Sequence, residues 1–243
     1  MARSQSKEKP KARKAPLKIR LFQILFDLLL CFLALTAVPT LLYRAINPPT
    51  TPLMWIRWAE GGYKADSPRA LRQWTPLDKI SPHLIRAVLT AEDQKFFQHS
   101  GFDWDAAEAA LVHNLKSEKK IGASTISMQA ARNVFLWQNR NWFRKALEAY
   151  FTFLMETFWS KDRILEVYLN VIEWGDGVFG CGPAAQAYFK RPAVKLSPYE
   201  AAWMAAILPN PRKWSIDNPP KTVEVRQARI LNSMGKVRAP AKS

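Results

Sequence analysis

Only two cysteines stand in 243 residues, Cys31 and Cys181. Cys31 falls inside a long apolar run, so the rest of the chain holds one thiol and no internal disulfide, and the cysteines point to neither an oxidising nor a reducing compartment. There is no Cys-x-x-Cys pair and no His-Glu-x-x-His run, and the three histidines (His83, His99 and His113) are scattered, which argues against a zinc site. No stretch alternates apolar and polar residues with a period of two, so strands are not the expected building unit, and no segment repeats. Acids are also scarce: 20 Asp and Glu face 36 Lys and Arg, a formal net charge of +16.

That charge is unevenly placed. Residues 1–20 carry eight Lys or Arg against Glu8 alone and read as a disordered tail. Residues 53–243 hold 27 Lys or Arg against 18 acids. A body this basic suits nucleic acid, anionic lipid or a phosphorylated substrate. Between tail and body, Ile24 to Tyr43 is almost wholly apolar, broken by Asp27, Thr36, Pro39 and Thr40. Such a run spans the ~30 Å of hydrocarbon at ~1.5 Å per residue. Basic flanks before it and Arg44 alone just after it predict a tail inside the cytoplasm and a body outside. A cleaved signal peptide is the competing reading, weakened by the length of the run and the lack of an Ala-x-Ala site; a buried core helix is a third. The expected organisation is a basic cytoplasmic tail over 1–20, a transmembrane anchor over 21–44, a stiff Pro-rich linker over 45–52 and one domain over 53–243, with its motifs between about 80 and 215.

The domain reads as mainly α. Ser81-Pro82 and Ser197-Pro198 are helix starts, Ser at the cap and Pro in the first turn. The predicted helices run from Ser81 to about Gln94, Phe102 to about Leu115, Gly122–Ser124 through Val134, Trp142 to Trp159, Asp162 to Asn170, Pro183 to Tyr188, Ser197 to Leu208 and Thr222 to Lys236. For the long fourth helix the expected buried stripe is Phe143, Leu147, Tyr150, Leu154 and Phe158. Trp55, Trp58 and Trp74, interleaved with Arg57, Lys64, Arg69 and Arg72, suit either a membrane interface or core.

The stretch Ala91-Glu92-Asp93-Gln94-Lys95-Phe96-Phe97-Gln98-His99-Ser100-Gly101 carries the first chemistry. Leu84, Ile85, Val88 and Leu89 form a helical stripe, and four residues beyond Val88 that stripe lands on Glu92. A buried carboxyl either finds a partner or has its pKa raised, and a raised pKa suits a general acid or base. The bland alternative is a Glu that turns out to solvent. The run from Gly122 to Asn133 places small residues and hydroxyls before a helix, a setting for an anion or an ordinary cap. Arg144 and Glu148 share a helix face at i,i+4, usually a surface pair; with Lys145 and neighbouring aromatics they suit a diphosphate, Arg as a fork and Lys as a point charge. His99 reads as a structural hydrogen-bonding residue.

Together these blocks resemble the peptidoglycan glycosyltransferases in their monofunctional biosynthetic form, similar to the N-terminal domain of class A penicillin-binding proteins. The blocks are Glu92-Asp93 through His99-Ser100-Gly101; Gly122 to Asn133; Arg144-Lys145 with Glu148; Ile164-Leu165-Glu166 with Tyr168-Leu169-Asn170; and Glu200-Ala201-Ala202 with Pro209. The resemblance covers about residues 50–215. It implies a lysozyme-like helical fold and inverting polymerisation of lipid II, with release of a polyprenyl diphosphate. By position, Glu92 resembles the base for the acceptor 4-hydroxyl and Glu148 the second essential glutamate. Asp93 resembles a supporting acid, Ser124, Thr125 and Gln129 the donor-side segment, and Arg132, Arg144 and Lys145 the cations for the diphosphate. Met128 stands where many members have Gln, and Arg132 where many have Lys.

The same resemblance implies an inner-membrane protein with its catalytic domain on the periplasmic side. Its partners would be lipid II, the growing glycan, the membrane and cell-wall synthesis or division proteins, with no nucleic acid. No cofactor is required; a divalent cation is left open. No transpeptidase segment is expected after about Lys236. Trp104, Phe135, Leu136, Trp137, Trp142 and Phe143 are candidates for a lipid-facing surface, with core packing expected for about half. The alternatives are a lysozyme-like hydrolase or lytic enzyme, a non-catalytic membrane scaffold and, from charge alone, a nucleic-acid binder.

Overall fold

Hydroxyl, carboxyl and amide side chains open most of the helices. In the computed structural model, which describes residues 16–61, 73–118, 120–139, 141–214, 216 and 218–237, the order is α1 (Leu17–Tyr43), α2 (Pro52–Ala59), α3 (Pro82–Glu92), α4 (Trp104–Lys116), α5 (Ile126–Phe135), α6 (Trp142–Phe158), α7 (Lys161–Val171), α8 (Cys181–Phe189), α9 (Pro198–Ile207) and α10 (Lys221–Ser233). Thr51, Ser81, Asp103, Thr125, Asn141, Ser160 and Ser197 each accept a backbone N–H of the first turn, satisfying a donor that has no partner within the helix. Ser197 and Glu200 form a reciprocal capping box at α9. Lys64, Arg69, Arg72 and the tail through residue 15 lie outside the described residues.

The chain divides into two units between Pro39 and Thr40. The first holds most of α1, whose 27 residues are long and apolar enough to cross a membrane. The second begins with the last turn of that helix. There Trp159 Nε1 donates to Thr40 O at 2.7 Å, and Arg163 donates to Tyr43 O and Ile46 O at 2.9 Å. These bonds answer carbonyls that a helix end leaves open.

Within the second unit the helices pack in two groups. α9 is buried on every side, from Ala201 through Ile207, and α3 and α10 lie against it. Its alanines let neighbouring backbones come close. The other group is α5 with α6 and α7. Tyr168, Leu169, Ile164 and Leu165 of α7, with Met155 of α6 and Ile126 of α5, are among its most deeply buried side chains.

The sequence expectations hold for the helices and miss some details. α3 stops at Glu92, with Asp93 in a non-helical cap. The cap of α5 is Thr125, one residue beyond the expected segment. α2 starts at Pro52, inside the expected linker. A short antiparallel hairpin, β1 (Glu173–Gly175) and β2 (Val178–Phe179), follows α7, too brief to show alternation in sequence. The buried face of α6 is wider than expected, with Leu147, Tyr150 and Phe158 packed against the core as expected. It runs through Arg144, Glu148, Phe151, Thr152 and Met155; Leu154 is buried as expected, but Phe143 is 68% exposed. Arg144 and Glu148, whose spacing reads as a surface pair, join the buried face because they neutralise each other.

Gly101 shows how tightly the two sides of this core meet. Its φ is +92°, and a Cβ there would stand 2.9 Å from Thr152 Cγ2 and 3.0 Å from Glu156 Cγ. Gly101→Ala is expected to cost about 2–4 kcal/mol, combining left-handed strain with overpacking. Thermal unfolding checks this, with Gly122→Ala, whose Cβ would meet nothing within 4 Å, as the near-neutral control.

Candidate active site

Glu92 is the last residue of α3, and its carboxylate is held at both oxygens. Arg226 Nη2 of α10 donates to Oε1 at 2.8 Å, and Gln129 Nε2 of α5 donates to Oε2 at 3.0 Å. The side chain keeps 15% of its exposure. Burial raises its pKa above the ordinary glutamate value, opposed in part by the Gln129 hydrogen bond and the charges of Arg226 and Arg132. The carboxyl is therefore a stronger base than a solvated one while still in reach of solvent.

Asp93 turns the other way. It is 7% exposed; Oδ2 accepts the Ile126 N–H at 2.9 Å, and the carboxylate pairs with His99 Nε2 at 3.0 Å. It thereby ties the end of α3 to the start of α5, where a carboxylate also meets the favourable end of the helix dipole. Thr125 Oγ1 accepts Met128 N–H and donates to Gly101 O at 2.6 Å, so the hydroxyl works as a cap. Asp93 and Thr125 line one cleft with Glu92 and Ser124, about 630 Å³ in volume, whose far wall is α4.

Glu148 is fully buried, and both its oxygens carry a cation: Arg144 Nη1 on Oε2 and Lys145 Nζ on Oε1, each at 2.5 Å. Lys145, 39% exposed, also reaches to 3.4 Å from Ser124 Oγ. Arg144 is enclosed, and among the described residues its Nε has no partner; the same holds for Nε of Arg132. These two arginines line a second cleft of about 290 Å³ with Gln129, Tyr168, Arg57 and Arg212. Gln129 thus faces the second cleft while donating to Glu92 in the first.

The structure brings Glu92, Asp93, Ser124, Thr125 and Gln129 together, sets Arg132 and Arg144 on the second cleft, and buries Glu148 beneath Arg144 and Lys145. Sequence reasoning missed Arg226 and Tyr168. Arg226 had a readable signal: it stands three residues after Val223 and four before Ile230, both buried, so it shares their inward stripe as Glu92 shares that of α3. Tyr168 Oη donates to Gln129 Oε1 at 3.1 Å, a contact no spacing rule reveals. Of the six candidate lipid-facing residues, Trp104, Trp142 and Phe143 are 74%, 90% and 68% exposed; Leu136 is buried, and Phe135 and Trp137 pack against the core.

A helical body that sets one buried, raised-pKa carboxyl beside an arginine-lined cleft suits an enzyme that pairs a general base with binding of a phosphorylated group. The family model described as Transglycosylase matches residues 63–235, and the chain belongs to that family. It is 53% identical to a biosynthetic peptidoglycan transglycosylase of Bdellovibrio bacteriovorus, over 79% of this chain and 77% of that protein. Proteins of the same description from Rhodospirillum centenum and Caulobacter vibrioides are 52% and 50% identical, over 81% and 87% of this chain and 83% and 91% of theirs.

Glu148→Gln leaves the buried Arg144 and the half-exposed Lys145 sharing a neutral amide. The expected loss is about 3–5 kcal/mol of stability, read by urea unfolding. Adding Arg144→Met is expected to restore part of it, the signature of coupling in a double-mutant cycle.

Proposed function

We propose that this protein polymerises lipid II into glycan strands for peptidoglycan synthesis by inverting glycosyl transfer. The observation that carries the reading is Glu92, a partly exposed carboxyl made more basic by burial, next to a cleft lined by Arg132 and Arg144. In the proposed step Glu92 accepts the proton of the acceptor sugar's 4-hydroxyl. The oxygen attacks the donor's anomeric carbon from the face opposite the C–O–P linkage. That bond breaks with its electron pair leaving on the diphosphate, which Arg132, Arg144 and Lys145 neutralise. Ser124 and Gln129 border the donor side of the reacting centre; Asp93 and Thr125 hold the α3–α5 junction in register. Glu148 acts by holding Arg144 and Lys145 toward the leaving group. The chain's own cations carry the neutralisation, so turnover is expected to persist in a chelator.

The substrate is a membrane lipid. α1 anchors the chain with its N-terminus in the cytoplasm and its body on the periplasmic side of the inner membrane, which raises the local concentration of substrate. Trp104, Trp142 and Phe143, exposed in water, suit contact with the lipid surface. Other wall-synthesis or division proteins join as partners.

The test is polymerisation of purified labelled lipid II. Glu92→Gln, with an unchanged circular dichroism spectrum, is expected to lose about 10²–10⁴-fold in rate, the range for removing a general base. The base must be ionised and its pKa is raised, so wild-type activity is lost as pH falls through a midpoint above ~4.3, the ordinary glutamate value. Full polymerisation by Glu92→Gln would remove Glu92 from the role of base.

A further inference from the structure

A carboxylate serves as a base only if its neighbours leave it ionised and aimed. Three side chains on three helices decide this at Glu92. Arg226 spans the end of α3, donating from Nη2 to Glu92 Oε1 at 2.8 Å and to Ala91 O at 3.2 Å, so the guanidinium is registered on backbone as well as on the carboxylate. Gln129 presents one end of its amide to Glu92 Oε2, and which end matters. Its NH₂ donates to an ionised carboxylate; its carbonyl would face a lone pair and be tolerated only if Glu92 carried a proton to donate. Amide orientation and the protonation of Glu92 are therefore one linked choice. Tyr168 biases it. Its hydroxyl, 1% exposed as a residue, donates to Gln129 Oε1; a hydroxyl also accepts, but a phenol is the better donor, so the contact favours the orientation in which the NH₂ faces Glu92.

We propose that Arg226 and Tyr168 are positioning residues that hold Glu92 in its proton-accepting form, Arg226 directly and Tyr168 through the Gln129 amide. Arg132 on α5 adds its charge from the far side of Gln129, and Asp93, next in the chain, is occupied by His99 and the start of α5. The other titratable groups that line the cleft are Asp103, His113 and Lys95. The arrangement makes α10 part of the active site, although it lies beyond the motif blocks. It also assigns Gln129 the task of transmitting an orientation, in addition to bordering substrate.

The inference rests on Glu92 being the base, and the test separates the two. The full-length protein in detergent, with ¹³C-labelled glutamate carboxyls, is titrated by NMR; the Glu92 resonance is the one missing in Glu92→Gln. Arg226→Met and Tyr168→Phe are each expected to raise its midpoint by about half a unit to one unit, since each weakens hydrogen bonding to the charged form. Arg226→Lys, which keeps the charge, is expected to fall between Arg226→Met and wild type. In lipid II polymerisation the acid limb of the rate profile should move up by the same amounts, with activity recovered at higher pH. A purely structural role would lower the rate at every pH and leave the midpoint alone. Unmoved midpoints in both Arg226→Met and Tyr168→Phe overturn the inference. Moved midpoints with polymerisation indifferent to Glu92→Gln sustain it and instead remove Glu92 as the base.

Discussion

Glu92 and Asp93 are consecutive carboxylates at the end of one helix, each withdrawn from water, and the junction between the two helix groups depends on how each is answered. An unpaired buried charge costs several kcal/mol, more than a large part of a domain's net stability. Asp93 is answered by a backbone N–H and a histidine, contacts that lock α3 to α5. Glu92 is answered by an arginine and an amide that come from α10 and α5. One carboxylate closes the joint and the other sits in its opening. The non-helical backbone at Asp93, φ −165° and ψ 84°, ends the helix between the two and turns Asp93 toward the start of α5.

The Glu148 cluster follows the same rule at a deeper level. Inside α6, Arg144, Lys145 and Glu148 occupy a face that otherwise holds Phe151 and Met155. A buried ion pair gives little stability compared with well-packed apolar side chains, so its presence calls for another reason. That reason is geometric. Glu148 holds two cations in fixed positions, one sealed at the edge of the arginine-lined cleft and one reaching toward Ser124. The enclosed Nε atoms of Arg132 and Arg144 mark unspent hydrogen-bonding capacity beside that cleft. Positive charge is fixed in place before any substrate arrives, and preorganised charge is worth most in stabilising a leaving group.

Much of this could be read from residue patterns, for definite reasons. Serine-proline starts, apolar stripes and the misplaced charge at Glu92 are local signals, and they located α3, α9 and the carboxyl. Part of the face of α6 was missed because an apolar count treats Arg144 and Glu148 as solvent-facing, whereas a mutually neutralised pair packs inward. Phe143 lies in the first turn of α6 and is exposed, while Tyr150, Phe151 and Phe158 further along the helix meet the core. The hairpin after α7 was invisible because two or three residues cannot display a period. Arg226 carried the same signature as Glu92, a charge on a buried stripe, and two such charges of opposite sign invite pairing. Their separation of 134 residues leaves that pairing open to any other buried charge, so three dimensions were needed to choose it.

The degree of compensation at Glu92 is itself informative. A carboxyl buried with no partner can have its pKa raised by several units; it would then be protonated near neutral pH and unable to accept a proton. A carboxyl as fully engaged as that of Glu148, with both oxygens on cations, is enclosed and out of reach of an acceptor hydroxyl. Glu92 lies between: burial dominates, so its basicity rises, while one guanidinium and one amide oppose the rise without enclosing it. Brønsted behaviour favours a base whose pKa approaches the working pH. Moving either partner would push the carboxyl toward one of the useless limits. The three helices that supply Glu92, Gln129 and Arg226 are therefore bound by two requirements at once, because the contacts that join them also set the basicity of this carboxyl.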